Sequence, residues 1–344
     1  MSTDEQGYAL ITGGSQGIGA AIALELARKG FGVIVTARSE AALQAVRTQA
    51  AALNGGRAHA LVVDLLEPDG PDRVLRSIRE LRVPLTCLVN NAGHAHWGLF
   101  GEEPMTEHRK LMRLNMDVPV QLTHALLPEL KKAKRAYILN TSSMTAFHAL
   151  ASMALYAASK AFILRWSRSL RIELKGTSVS VTAVCPGAVI TGFTARAGMQ
   201  AMDDLAKKFG TPPEPVAKSA VAAMLKGAPE VVPGILNKLT RVFQGLMPMS
   251  ERGSRQRHQP QAAATPKSLK LSLLDFQATR ANMGAASTSM VQWTCCAMTN
   301  APTLMVAAIR IHRIIPPRDK PTMTANVAVW PLKKRSFRKG SLPG

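Results

Sequence analysis

The stretch Tyr8-Ala-Leu-Ile-Thr-Gly-Gly-Ser-Gln-Gly-Ile-Gly19 decides the fold of this 344-residue chain. It begins as a short apolar strand and continues into a turn with the glycine spacing G-x3-G-x-G. A helical run over residues 20–28 and a second strand over residues 31–36 follow. A strand, glycine turn, helix and strand within about thirty residues form the βαβ unit in which backbone N–H groups bind a pyrophosphate at a helix N-terminus. The stretch therefore predicts a dinucleotide-binding domain.

Strands and helices keep alternating through the first 250 residues. Five further strands are expected at residues 58–63, 85–89, 135–141, 178–184 and 230–233, with helices between them. Such alternation is typical of a parallel sheet that is covered on both faces. We predict an α/β fold, a Rossmann-like doubly wound parallel sheet of about seven strands with helices on both faces. This fold is expected to fill a single domain, residues 1–250.

Polar and glycine residues stand just after several of these strands. Ligands of open α/β sheets bind beyond the carboxyl ends of the strands, so these residues should converge on one crevice. They are the glycine loop, Asp64, Asn90–Gly93, Ser142–Ser143 and Pro186–Gly187.

Arg38 lies at the end of the second strand, where an acidic residue would bind a ribose 2′-hydroxyl. With Ser15 from the glycine loop, Arg38 favours a 2′-phosphate, and hence NADP(H) over NAD(H). The alternative is that Arg38 is an ordinary solvated loop residue.

Tyr156 and Lys160 are separated by one helical turn. Apolar residues recur near the 3.6-residue period between residues 152 and 175, and Gly176 follows as a stop. The two side chains therefore share one helical face, where an ammonium would lower the pKa of a phenol. By spacing alone, an ordinary half-exposed helix is the commoner explanation of such a pair.

The order of these motifs resembles the short-chain dehydrogenase/reductase family over about residues 6–245. The resemblance is carried by Thr12–Gly19, Asp64, Asn90–Gly93, Asn115, Ser143, Tyr156-x-x-x-Lys160 and Pro186–Gly187 with Thr191. It implies an NADP(H)-dependent oxidoreductase that acts on a carbonyl or secondary alcohol. A cofactor-binding scaffold or redox sensor without turnover is the alternative.

The resemblance also implies a role for each site residue. Tyr156 would exchange a proton with the substrate oxygen, which Ser143 would polarise. Lys160 would lower the pKa of Tyr156 and bind the nicotinamide ribose, and Asn115 would hold a water that links Lys160 to solvent. The implied cofactor-binding residues are Gly13, Ser15, Gln16, Gly17, Ile18, Gly19, Arg38, Asp64, Asn91, Ala92, Gly93, Tyr156, Lys160, Pro186, Gly187 and Thr191.

Substrate specificity is expected to lie in residues 190–215, which the resemblance identifies as a mobile lid. Met144, Phe147, Leu150 and Met153 predict an apolar wall for the pocket. The partners implied are a small-molecule carbonyl or alcohol and further copies of the chain in a homodimer or homotetramer. The eight histidines and four cysteines show no metal-ligand spacing, so we expect no metal. The cysteine pattern favours a reduced, cytoplasmic setting.

Residues 235–247 form an amphipathic pattern with Lys238 and Arg241 on the polar side. This pattern predicts a helix that packs on the domain, on a partner subunit, or weakly on a membrane surface.

After Ser250 the alternation of strands and helices ends. Residues 251–344 carry 15 Lys/Arg and 3 Asp/Glu, which is +12 of the total net charge of +21. This segment is expected to be a disordered basic tail, a tether to an anionic surface or nucleic acid, or an out-of-frame extension. Charge alone supports the tether, since the segment has no recognised nucleic-acid module, and we expect no specific nucleic acid as a partner.

Overall fold

A computed structural model describes residues 6–193 and 210–246 of the chain, with the side chains of the last five excepted. In this part of the protein, seven parallel strands form one sheet in the order β3-β2-β1-β4-β5-β6-β7. The strands are β1 (Tyr8–Thr12), β2 (Gly32–Ala37), β3 (Ala58–Val62), β4 (Leu85–Asn90), β5 (Ala136–Thr141), β6 (Val179–Val184) and β7 (Glu230–Val231). The predicted α/β fold is confirmed.

Eight α-helices lie within the described residues. They are α1 (Gly17–Arg28), α2 (Glu40–Leu53), α3 (Gly70–Leu81), α4 (Met105–Met112), α5 (Val118–Lys132), α6 (Ala154–Glu173), α7 (Pro213–Leu225) and α8 (Ile235–Leu246). A π-helical turn, Arg113–Asp117, joins α4 to α5, and a 3₁₀ turn, Met144–Phe147, follows β5.

Two hydrophobic clusters cover the two faces of the sheet. Successive residues of a strand point to opposite faces, so Leu10 and Ile11 of β1 belong to different clusters. One cluster joins the sheet to α1, α2 and α7, and the other joins it to α3, α5 and α6. The strands are buried on both faces, which accounts for their nearly continuous apolar sequences.

The strand order reverses between β1 and β4, because β2 and β3 extend the sheet to one side and β4 to β7 to the other. This switch point opens a crevice at the carboxyl ends of β1 and β4, where ligands of doubly wound sheets bind. The glycine loop and the segment after β4 both lie there.

Contacts within the chain separate a unit of residues 1–264 from a unit of residues 265–344. The second unit and the predicted tail lie outside the described residues, as does most of the predicted lid. Among the helices that are described, none is both long enough and apolar enough to cross a membrane.

Candidate active site

A cavity of about 1220 Å³ lies at the carboxyl ends of the strands. Every residue that the sequence assigned to the cofactor lines it, and so do Ser143, Tyr156 and Lys160. Asn115 is 1% exposed and is not part of the wall. The strand-end residues therefore converge on one crevice, as the alternation of strands and helices predicted, except Asn90, which is buried and donates instead to the side chains of Thr123 and Asn140.

The glycine loop approaches its neighbours too closely for any side chain at Gly19. A Cβ at this position would collide with the carbonyl oxygen of Gly13 and with Nδ2 of Asn91. Gly13 and Gly17 have φ of 65° and 58°, values that favour glycine. The N-terminus of α1 is thus left open toward the cavity, and this geometry fits the pyrophosphate of a dinucleotide.

Thr12 and Asn91 fasten the glycine loop to the segment after β4. Thr12 Oγ1 accepts hydrogen bonds from the backbone N–H groups of Asn91 and Ala92, both at 3.0 Å. Asn91 Nδ2 donates to the carbonyl oxygens of Thr12 at 3.0 Å and Gly13 at 3.2 Å. The Asn91 side chain therefore fixes the backbone of the glycine loop.

Arg38 also lines the cavity, beside Asp64. Its Nη1 is 3.9 Å from Asp64 Oδ2, and its side chain is 68% exposed. Asp64 Oδ1 accepts the backbone N–H of Leu66 at 2.9 Å, which fixes the carboxylate. An exposed ion pair of this length contributes about 0–1 kcal/mol, so the guanidinium can turn toward an anion in the cavity.

Tyr156, Ser143 and Lys160 are buried together in the cavity wall. The Ser143 side chain lies near enough to the Tyr156 phenol to influence its pKa. Lys160 Nζ lies 5.7 Å from the centre of the Tyr156 ring and donates to the carbonyl oxygen of Thr141 at 3.0 Å. Ser142 Oγ donates to the carbonyl oxygen of Lys160 at 2.8 Å, so β5 and α6 are joined at the site.

Burial controls the pKa values of Tyr156 and Lys160. Desolvation raises the pKa of Tyr156 to about 12, and the nearby Ser143 hydroxyl opposes this rise. Desolvation also lowers the pKa of Lys160 to about 8. The net shift of the Tyr156 pKa is therefore upward, not the lowering expected from Lys160, because burial in a low-dielectric wall disfavours the phenolate more than its neighbours favour it.

Asn115 lies in the π-helical turn and holds the segment after β4 through its side chain. Its Oδ1 accepts the N–H of His94 at 2.7 Å, and its Nδ2 donates to the carbonyl oxygen of His94 at 2.9 Å and to Ser159 Oγ at 3.0 Å. Both amide protons are used. A water at Asn115 would have to bind its main chain or the second lone pair of Oδ1.

Ser159 is a residue that the sequence reasoning missed. Its buried hydroxyl donates to the carbonyl oxygen of Tyr156 at 2.7 Å while accepting from Asn115. It thereby joins the π-helical turn to α6. Its place directly before Lys160 was the only sequence signal.

An apolar wall stands beside Tyr156, as expected, but with partly different members. Met153, Leu150 and Phe193 pack in one cluster with the Tyr156 ring and line the cavity. Met144 also lines it, whereas Phe147 packs behind the wall. Within residues 6–193 and 210–246, no group of three or more His, Cys, Asp or Glu could hold a metal ion.

A parallel sheet of this order, with a glycine loop at its switch point and a Tyr–Lys–Ser group on the same cavity, defines an NAD(P)-binding oxidoreductase with a Rossmann fold. A family model described as short chain dehydrogenase matches residues 7–201. The chain belongs to the short-chain dehydrogenase family.

Individual relatives agree with this assignment. A ketoacyl reductase, HetN, from Nostoc sp. is 31% identical over 225 residues, which are 65% of this chain and 77% of the relative. The 3-oxoacyl-[acyl-carrier-protein] reductase FabG of Aquifex aeolicus is 32% identical, over 54% of this chain and 75% of its own. Among solved structures, a short-chain dehydrogenase from Sphingobium yanoikuyae in complex with NADPH is 30% identical, with a TM-score of 0.60, over 74% of this chain and 98% of that one.

Proposed function

We propose that the protein is an NADP(H)-dependent oxidoreductase that interconverts a carbonyl compound and a secondary alcohol. The observation that carries the proposal is the burial of Tyr156, Ser143 and Lys160 in the wall of the cavity that the glycine loop also lines. Bound there, the nicotinamide cofactor supplies a hydride to the carbonyl carbon or accepts one from the alcohol.

Tyr156 moves the proton in this mechanism. With its pKa near 12, the phenol keeps its proton at neutral pH until an oxygen that is gaining negative charge can accept it. Ser143, which lines the same cavity beside Tyr156, orients the same oxygen. The phenolate that results is stabilised by the Lys160 ammonium, which is mostly protonated at pH 7 because its pKa is about 8.

The residues assigned to the cofactor have separate tasks in this proposal. The glycine loop, Gly13 to Gly19, takes the pyrophosphate, and Arg38 with Ser15 takes the ribose 2′-phosphate. Asp64 holds the adenine, and Asn91, Ala92 and Gly93 form the floor. Lys160 binds the nicotinamide ribose, and Pro186, Gly187 and Thr191 bind the carboxamide. All of these residues line one continuous cavity.

The substrate that we propose is a ketone, an aldehyde or a 3-oxoacyl compound. The apolar wall of Met153, Leu150 and Phe193 beside Tyr156 suits a group of low polarity. The names of the Nostoc and Aquifex relatives indicate acyl ketones as the first substrates to examine.

We further propose a domain of residues 1–250 that assembles as a homodimer or homotetramer and works in the cytoplasm. Cys87 and Cys185 are buried free thiols, which suits a reducing compartment. Weak contact of α8 with a membrane surface also belongs to the proposal, since Ile235, Leu236 and Leu239 are each more than half exposed.

The decisive test combines cofactor binding with turnover. NADPH fluorescence titration should detect binding, and Tyr156→Phe should bind NADPH as the wild type does but reduce a ketone panel at least about 10²-fold more slowly, since the proton donor is lost. Tyr8→Phe is the control, because Tyr8 lies at the other end of β1. Retained turnover in Tyr156→Phe would refute the mechanism, and binding without any turnover would favour the non-catalytic scaffold.

The preference for NADP(H) has its own test. Arg38→Ala should weaken NADPH about tenfold or more and leave NADH nearly unchanged, because only NADPH carries the 2′-phosphate. Arg28→Ala, at the far end of α1, is the control. Equal losses for both cofactors, measured by the same titration, would rule out the assigned role.

A further inference from the structure

The last described helix, α8, contacts the site from behind through two polar side chains. Asn237 lies against Gly187 so closely that a Cβ on Gly187 would collide with the Asn237 side-chain amide. Asn237 Nδ2 donates to the carbonyl oxygen of Pro233 at 2.7 Å, which holds the amide in this place. The turn after β6, which lines the cavity, is therefore buttressed by α8.

Arg241 makes the second contact, one turn further along α8. Its guanidinium carbon lies 3.9 Å from the centre of the Phe147 ring, and its Nη2 donates to Glu230 Oε1 at 2.9 Å. Glu230 also accepts from Arg168 of α6, at 3.0 Å from Nε. Burial alone would raise the Glu230 pKa, but the two arginines outweigh it and hold that pKa below its usual value. Arg241 is thus tied to an ionised carboxylate while it faces Phe147.

Phe147 ends the 3₁₀ turn that begins directly after Ser143. Thr145 N–H donates to Ser143 Oγ at 3.1 Å, and Met144 N–H donates to the carbonyl oxygen of Pro186 at 2.8 Å. The turn therefore links the hydroxyl of Ser143 to the strand end that carries Gly187. A displacement of Phe147 would move both.

We propose that α8 is a latch for the active site, in which Arg241 and Asn237 are positioning residues. Arg241, held by Glu230, stacks on the Phe147 ring and thereby fixes the position of the 3₁₀ turn and of the Ser143 hydroxyl. Asn237 fixes the Pro186–Gly187 turn from the same helix. Neither residue lines the cavity, so the latch acts through the turns. The inference rests on the proposed oxidoreductase function.

The kinetic test uses Arg241→Gln, Arg241→Lys, Phe147→Leu and the double variant Arg241→Gln/Phe147→Leu. With NADPH and ethyl acetoacetate as probe, Arg241→Gln should lower kcat/KM about tenfold, with Arg241→Lys in between, while the NADPH Kd changes less than about twofold. When Phe147 is already Leu, adding Arg241→Gln should lower kcat/KM by less than about a further twofold, because the contact that Arg241 acts through is gone. Lys238→Gln, an exposed position on the same helix, is the control. If the double variant lost kcat/KM by the product of the two single losses, the two residues would act independently, and the latch proposal would be wrong.

Amide hydrogen exchange tests the latch without any turnover, so a failure of the proposed function stays distinguishable from a failure of this inference. Arg241→Gln should speed exchange about tenfold at residues 144–147, and Asn237→Ala should do so at residues 187–190. Lys238→Gln should leave both unchanged. Equal exchange in Arg241→Gln and wild type, with both proteins folded by thermal melting, would refute the positioning role.

Discussion

At the scale of single residues, burial disfavours the charged forms of both Tyr156 and Lys160. Tyr156 has its pKa raised and Lys160 has its pKa lowered by the same desolvation. The folded protein therefore gives up the Lys160 proton more readily than the unfolded chain does. Proton binding is thus coupled to the stability of the fold.

The Lys160 pKa shift predicts a rise in stability with pH. Between about pH 8 and the ordinary lysine pKa of 10.5, the unfolded chain still holds the lysine proton while the folded protein has lost it, so the free energy of unfolding increases with pH. From pH 7.5 to 9.5, urea unfolding should show roughly 2 kcal/mol more gain for the wild type than for Lys160→Met.

Lys218→Met is the matched control for this comparison, because Lys218 is exposed on α7. Its stability should follow the wild type through the same pH range. If Lys160→Met and the wild type gained equally, burial would not be what lowers the pKa of this amine.

At the scale of elements, the glycine loop that joins β1 to α1 is packed too closely to accept a Cβ at Gly19. Since a Cβ on Gly19 would meet the Gly13 carbonyl oxygen, Gly19→Ala must shift either the loop or the helix N-terminus. NADPH affinity should fall at least about tenfold, and overpacking should cost about 1–3 kcal/mol of stability. Fluorescence titration and thermal melting measure the two effects.

Gly101→Ala is the control, because no atom lies within 4 Å of a Cβ built there. Its φ also lies outside the left-handed region. If Gly19→Ala bound NADPH with wild-type affinity, the glycine loop would not form part of the cofactor-binding site.

The regular elements could be predicted from the sequence because each has its own local pattern. The strand expected at residues 178–184 is β6, Val179–Val184, and the helix expected at residues 152–175 is α6, Ala154–Glu173. The strand ends then placed every proposed cofactor residue at one edge of the sheet, since parallel strands share a direction.

The irregular parts could not be predicted in this way. The π-helical turn between α4 and α5 has no periodic signature in the sequence. The partners of Asn115 lie 21 and 44 residues away, at His94 and Ser159, so only the tertiary fold brings them together. The docking of α8 was open for the same reason, since an amphipathic pattern does not say what its polar side contacts.

At the scale of the whole molecule, much of the net positive charge lies after the last described helix. The seven-stranded sheet and both of its helical layers are complete by residue 246. Residues 251–344 contribute +12 of the net +21. Catalysis as proposed requires the first part alone, whereas attraction to polyanions would draw on the second.

Truncation after Ser250 tests this separation. The chain 1–250 should bind NADPH within about twofold of the full-length Kd, because every residue of the cavity wall precedes the cut. Its retention on heparin should fall and lose most of its salt dependence, since the removed segment carries the excess of Lys and Arg. A second truncation after Ala264, where the contacts divide the chain, controls for the choice of end point. If both truncated proteins failed to fold or to bind NADPH, the last 80 residues would be part of the catalytic domain. A domain of residues 1–250 would then be the wrong description of this molecule.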